Sequence, residues 1–167
     1  MAHSPDLADP PDRSPAAWSV EIVAPDIARE LRRVALRPQL SAQDVLPGDE
    51  LAEAVHFGVF DPDGQAVGTC FVYAEACPWR PQVHPAWHLR QMATAAGLRG
   101  RGIGSAVLNA TVHWCTAQGG RLLWCNAREA AVAFYARQGF EPYGPIFTDE
   151  RHTIPHQRMS RQLVPLD

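Results

Sequence analysis

Three glycines at alternate positions, Gly100, Gly102 and Gly104, separate a strand pattern from a helix pattern. Residues 87–93 alternate, with Trp87, Leu89 and Gln91 set against His88, Arg90 and Met92, which predicts a strand. Ile103, Val107, Ala110 and Trp114 recur at helical spacing, and Gly119-Gly120 closes a helix expected over 104–118. Arg121-Leu122-Leu123-Trp124-Cys125 is short and apolar, as an interior strand is. Strand, helix and interior strand in this order predict a βαβ crossover with parallel strands. That unit sets the centre of a mixed α/β sheet.

The same stretch is depleted of negative charge. No Asp or Glu occurs between Glu75 and Glu129, although the chain carries a net charge of −3. Arg80, Arg90, Arg99, Arg101, Arg121 and Arg128 lie in this interval without acidic neighbours in sequence. Bare backbone N–H groups at a helix N-terminus, flanked by arginines, form a site for phosphate. A dinucleotide-binding reading requires glycine where Ser105 stands and a carboxylate before Glu129, and neither is present.

The flanking segments complete the sheet. Residues 18–23 alternate as a first strand, and Pro25-Asp26 opens a helix expected to bury Ile27, Leu31 and Val34. Residues 37–50 read as a loop or a short second helix. Strand patterns at 54–60 and 66–73 flank Asp61-Pro62-Asp63-Gly64, a tight turn, and so predict a hairpin. Asn126 is expected to cap the helix after the interior strand, with Glu129 completing a capping box and Gly139 ending it in a left-handed turn. Residues 140–147 and 154–163 read as two closing strands. The whole is an α/β fold with a mixed sheet of six or seven strands flanked by helices. It forms one domain over 18–167, behind a disordered tail over 1–17 rich in Pro, Asp, Ala and Ser.

Composition removes several functions. All 15 basic residues are arginine, which excludes a Walker A lysine, a Schiff-base lysine and a lysine general base. The net charge argues against a nucleic-acid partner. No apolar run reaches spanning length and the first residues lack a secretory pattern, so no membrane partner and a cytoplasmic location are expected. Cys70, Cys77, Cys115 and Cys125 show no C-x-x-C spacing, so buried free thiols are expected and no metal site.

Arg99-x-x-Gly102-x-Gly104, after a strand and before a helix, resembles the acyl-CoA loop of the GNAT superfamily of N-acetyltransferases, in its small bacterial form. Residues 126–140, with Phe134-Tyr135 followed by Gly139-Phe140, resemble the second motif of that family. Leu89-Arg90-Gln91-Met92-Ala93-Thr94 resembles its pantetheine-binding strand. The resemblance covers 87–140 and implies a GNAT-like fold whose two central parallel strands splay at the cofactor site. It implies acetyl-CoA as co-substrate and transfer of an acetyl group to an amine by direct attack in a ternary complex. Arg99, Gly100, Arg101, Gly102, Ile103, Gly104 and Ser105 would then hold the pyrophosphate. Met92 and Thr94 would pair with pantetheine through the backbone, with Ala93 near the thioester oxygen and Asn126 touching the pantetheine arm. Tyr135 would bind near the sulfur and protonate the departing thiolate, a task suited to a phenol of pKa about 10.

The base is left open. The strand before the glycine loop has no carboxylate, so Glu75 and His88 are candidates, and His56 and His156 are candidates for the acceptor site. A small-molecule amine is the expected acceptor, with loops 37–53 and 78–85 and the region of His152 and His156 around it. The oligomeric state stays open between monomer and homodimer. The alternatives are a non-catalytic acyl-CoA sensor and an acetyltransferase acting on protein N-termini or lysines.

Overall fold

The crossover lies at the middle of the computed structural model, which describes residues 18–165. Strand β4 (Ala86–Thr94) leads through the glycine loop into a helix (Ile103–Ala117), and β5 (Leu122–Arg128) returns parallel to β4. Before them come β1 (Ser19–Val23), helix α1 (Arg29–Leu36), β2 (Val55–Phe60) and β3 (Ala66–Ala74). With α1 placed, the crossover helix is α2. A 3-10 turn (Glu129–Ala131) leads into α3 (Val132–Arg137), followed by β6 (Glu141–Phe147) and β7 (His156–Gln162). The strands form one mixed sheet in the order β1-β2-β3-β4-β5-β7-β6. This is the expected α/β architecture, and the disordered tail expected over 1–17 lies outside the described residues.

One face of the sheet carries the core. Cys70 and Val72 of β3, Leu89 of β4, and Leu123, Cys125 and Ala127 of β5 pack with Val107 and Leu108 of α2 and with Tyr135 of α3. All four cysteines are free and buried, as expected. Burial pushes the Cys70 and Cys115 thiols up to about 12 and raises Cys125 further, so they are inert at neutral pH.

Four local expectations are corrected. Ile27 and Val34 of the α1 region are exposed, and the residue this helix buries is Arg32. A guanidinium can be buried there because its donors reach Asp49, Gln91 and the Pro25 carbonyl, and Asp49 balances its charge. On α2 the buried face runs through Ile103, Val107, Leu108, Thr111 and Cys115, leaving Ala110 and Trp114 half-buried. Asn126 does not cap a helix, because β5 continues through Arg128, and neither Asn126 nor Glu129 forms the expected capping box. The strict alternation of β4 is broken by a bulge: Phe71 pairs with Arg90 and Thr69 with Ala93, so Gln91 and Met92 together face the single residue Cys70. Gln91 sits there in the left-handed region at φ 51°.

Candidate functional site

β4 and β5 pair only through Ala86–Leu122, Trp87–Leu123 and His88–Trp124, and then part although both strands continue for several residues. Over the gap, on the face opposite α2, lies a cavity of about 480 Å³. Strand alternation and register place its floor. Tyr73 pairs with His88, His88 with Trp124, Asn126 with Arg158, and Arg128 with His156, so these side chains share one face.

At the bottom of the gap His88 Nδ1 lies 2.7 Å from Glu75 Oε2 and 3.0 Å from the Tyr73 hydroxyl. The ring is 7% exposed, and burial brings its pKa down to about 4 although Glu75 pulls it up. The imidazole is therefore neutral at physiological pH, with its Nδ1–H directed to the carboxylate. Nε2 has no protein partner among the described residues and is not sealed from the cavity. That is the tautomer of a proton acceptor.

Across the gap Tyr135 is 6% exposed, lines the cavity, and directs its hydroxyl to Met92 Sδ at 3.7 Å. Burial raises its pKa well above that of a free phenol, which keeps the hydroxyl protonated. Phe134 and Phe140 meet the Tyr135 ring edge-on. Asn126 is half-buried in the cavity wall. Ala93 and Thr94 pair with Thr69 and Gly68, beyond the bulge that carries Met92.

The glycine loop stands outside the cavity, at the N-terminus of α2. Gly102 is the N-cap at φ 84°, no side chain caps the helix, and its first turn holds no acid. A Cβ at Gly100 or Gly102 would meet nothing within 4 Å, so the loop backbone is open. Gly104 has a different setting: a Cβ there would lie 3.3 Å from the Phe134 ring, so a side chain at this position would press on α3. Ile103 is buried in the core, Ser105 Oγ accepts from Gln138, and Arg101 lies over Trp18, whose indole donates to the Arg101 carbonyl. Arg99 is left exposed beside the bare N–H groups. These features fit a phosphate-bearing cofactor with an extended arm: an uncapped helix N-terminus for the phosphates, and two strands with unpaired inner edges for the arm.

The remaining sequence candidates separate. His156 lines the cavity, donates from Nδ1–H to the Ile154 carbonyl oxygen at 2.6 Å, and meets His152 edge-on. His56 does not line it; His56 is buried against Phe71, near Arg32. Loop 78–85 contributes Pro78 and Trp79, and loop 37–53 contributes Arg37. Sequence reasoning missed Tyr73, Trp124 and Arg158 as site residues. Trp124 belongs to the short apolar stretch expected as an interior strand, and only its register partner His88 reveals its place in the site. Among the described residues no cluster of His, Cys, Asp or Glu is placed to hold a metal ion, and no helix is long and apolar enough to cross a membrane.

Residues 25–140 match the model of the acetyltransferase (GNAT) family. The chain belongs to that family. The GNAT assignment agrees with a relative, the uncharacterized N-acetyltransferase YitI of Bacillus subtilis (strain 168), which is 30% identical over 129 residues, 77% of this chain and 85% of YitI. The GNAT fold is shared with FeeM, an N-acyl amino acid synthase from uncultured soil microbes (TM-score 0.71, 18% identity, 88% of this chain and 91% of FeeM). It is also shared with an aminoglycoside 6'-N-acetyltransferase solved with coenzyme A (TM-score 0.67, 13% identity, 89% and 99% covered). The protein is thus an N-acetyltransferase of the GNAT family.

Proposed function

We propose that this enzyme moves an acetyl group from acetyl-CoA to the primary amine of a small molecule, by direct attack in a ternary complex. The observation that carries the reading is the placement of two proton-handling groups at one gap. The Glu75–His88 pair lies where β4 and β5 part, and Tyr135 lines the same cavity from α3. A half-enclosed cavity of about 480 Å³ suits a small molecule rather than a folded protein surface. Four free, buried cysteines suit a reducing cytoplasm.

Acetyl-CoA supplies an acyl group activated as a thioester. Arg99 and the N–H groups of the loop through Gly102 would hold its phosphates, and the unpaired edges of Met92 and Asn126 would hold its arm. The N–H of Ala93 would lie toward the carbonyl oxygen, where charge develops during attack. His88 takes the proton that the amine loses as the C–N bond forms, and Glu75 stabilises the imidazolium so produced. Tyr135 gives its proton to the sulfur as the C–S bond breaks. The products are an amide and a free thiol, and the proton on His88 returns to Tyr135 through solvent.

Thiol release measured over a panel of amines tests this reading. Acceptor-dependent release that is lost in His88→Gln is expected. Tight acetyl-CoA binding with no turnover on any amine would instead make the protein an acyl-CoA sensor.

A further inference from the structure

The cavity is strongly cationic, and this bears on the acceptor. Arg37, Arg90, Arg128, Arg151 and Arg158 line it, against only two carboxylates, Glu75 and Asp149. Both carboxylates are already engaged by histidines, Glu75 by His88 and Asp149 by His152. Among the described residues none of the five arginines lies within 4.0 Å of a carboxylate. Holding several guanidinium groups half-buried without anions is costly, so the cavity is built to receive negative charge.

Not all of that charge is explained by cofactor phosphates. Arg128 is made less basic by burial and then by the nearby charges of Arg37 and Arg99. Those three therefore form one group at the phosphate end, next to the glycine loop. Arg90 and Arg158 are not among the charges that act on Arg128. Counting across the sheet at the level of the gap, the floor reads Phe71, Arg90, the gap, Asn126, Arg158, Tyr143. Arg90 and Arg158 therefore stand on opposite sides of the gap in the sheet, and both line the cavity over it. Each is held over an aromatic ring, Arg158 at 4.2 Å from the Phe147 centroid and Arg90 at 5.9 Å from that of Phe71. Stacking of this kind presets a planar fork for a carboxylate.

We propose that the acceptor is a primary amine that also bears a carboxylate, an amino acid or close relative, whose carboxylate is bound by Arg158 and Arg90 beside the gap. The apolar part of the acceptor would rest on Trp79, which stacks on Tyr143 and meets Trp124 edge-on. This inference rests on the acyl-transfer reading and adds the substrate class to it.

Phenylalanine, phenylalaninamide and phenethylamine share an amine and an aromatic ring and differ in the carboxylate. They are compared by kcat/KM with the wild-type enzyme at saturating acetyl-CoA, each rate corrected for the fraction of unprotonated amine. The acid should exceed the amide and the simple amine by about ten- to a hundredfold, the range of a charge-assisted hydrogen bond lost. Arg158→Gln should remove most of that preference, mainly by raising KM for the acid, while turnover of the amide is kept. Arg90→Gln serves as a second variant should Arg158→Gln fold poorly, and Arg158→Lys should recover part of the preference. Equal turnover of acid and amide overturns the carboxylate assignment and leaves acyl transfer standing. A preference for the acid that survives both glutamine variants overturns the assignment to these arginines. No turnover on any amine, with acetyl-CoA still bound, overturns the acyl-transfer reading and this one with it.

Discussion

His88 lies flat on Trp124, with ring centroids 3.6 Å apart and planes 12° apart, and the two are the last register pair before β4 and β5 separate. The stack fixes the plane of the imidazole, and Glu75 fixes its Nδ1 edge, so only Nε2 is left for chemistry. A base oriented in this way needs no rearrangement when the acceptor arrives.

The pH dependence follows from that burial. With a pKa held at about 4 by burial, His88 remains neutral between about pH 5 and 8. The profile of kcat/KM should then lack an inflection near 6.5 and rise only as the acceptor amine loses its proton. Glu75→Gln removes the anion that raises the basicity of His88, and kcat should fall about a hundredfold with acetyl-CoA affinity unchanged. An acid limb centred near pH 6.5 in the wild-type profile would show that the ring titrates as if in water.

Tyr135→Phe separates chemistry from packing. The variant keeps the ring between Phe134 and Phe140 and loses only the hydroxyl with its contact to Met92. Turnover should drop on the order of a hundred- to ten-thousandfold while acetyl-CoA binding, read by calorimetry, stays nearly unchanged. Wild-type turnover with chemistry rate-limiting would leave the thiolate to be protonated by water.

Gly102→Val tests the loop. Its left-handed backbone, at φ 84°, disfavours any β-branched residue, and the added side chain would stand in front of the bare N–H groups of α2. Acetyl-CoA affinity should fall by more than about tenfold, the loss of roughly one charge-assisted contact. Gly64→Val is the control: it has a similar φ of 79° and equally open surroundings in the β2–β3 turn, so it carries the strain without the site. Equal loss of affinity in both variants would falsify the loop assignment.

Acid sensitivity of the fold should trace partly to His56. Burial, and then the charge of Arg32, depress its pKa to about 4 from 6.5, and its Nε2 has no partner. As pH falls through 6.5 the unfolded chain takes up a proton that the folded chain refuses until about pH 4, so stability declines across that window and then levels. His88 contributes in the same direction. His56→Phe keeps a ring against Phe71 and should reduce the stability difference between pH 7 and pH 5, measured by urea unfolding. An unchanged difference would assign the acid sensitivity elsewhere.

What the sequence made legible was local. The hairpin turn at 61–64 shows in its own residues, and Asp61 indeed accepts the backbone N–H groups of Asp63 and Gln65. The crossover and the glycine loop likewise show in spacing alone. What stayed hidden depends on partners far away in the chain. Arg32 is buried because Asp49 and Gln91, 17 and 59 residues distant, come to it. Glu75 and His88 could each be named singly, but their meeting depends on the β3–β4 register that pairs Tyr73 with His88. Arg158 faces the gap because β7 inserts between β5 and β6, a topological event no local pattern announces.

The single extra residue in β4 acts as a phase shift in the strand. Without it, Met92 would follow His88 and Arg90 on the acceptor side of the sheet. With it, Ala93 takes that side, opposite Thr69, and Met92 turns to the side of α3, where its sulfur meets the Tyr135 hydroxyl. Gln91 ties the shift to segments outside the strand, donating to the Pro47 carbonyl and accepting from Arg32. The half-turn that lets one strand serve two compartments is therefore clamped by α1 and its following loop, segments that carry no resemblance motif of their own.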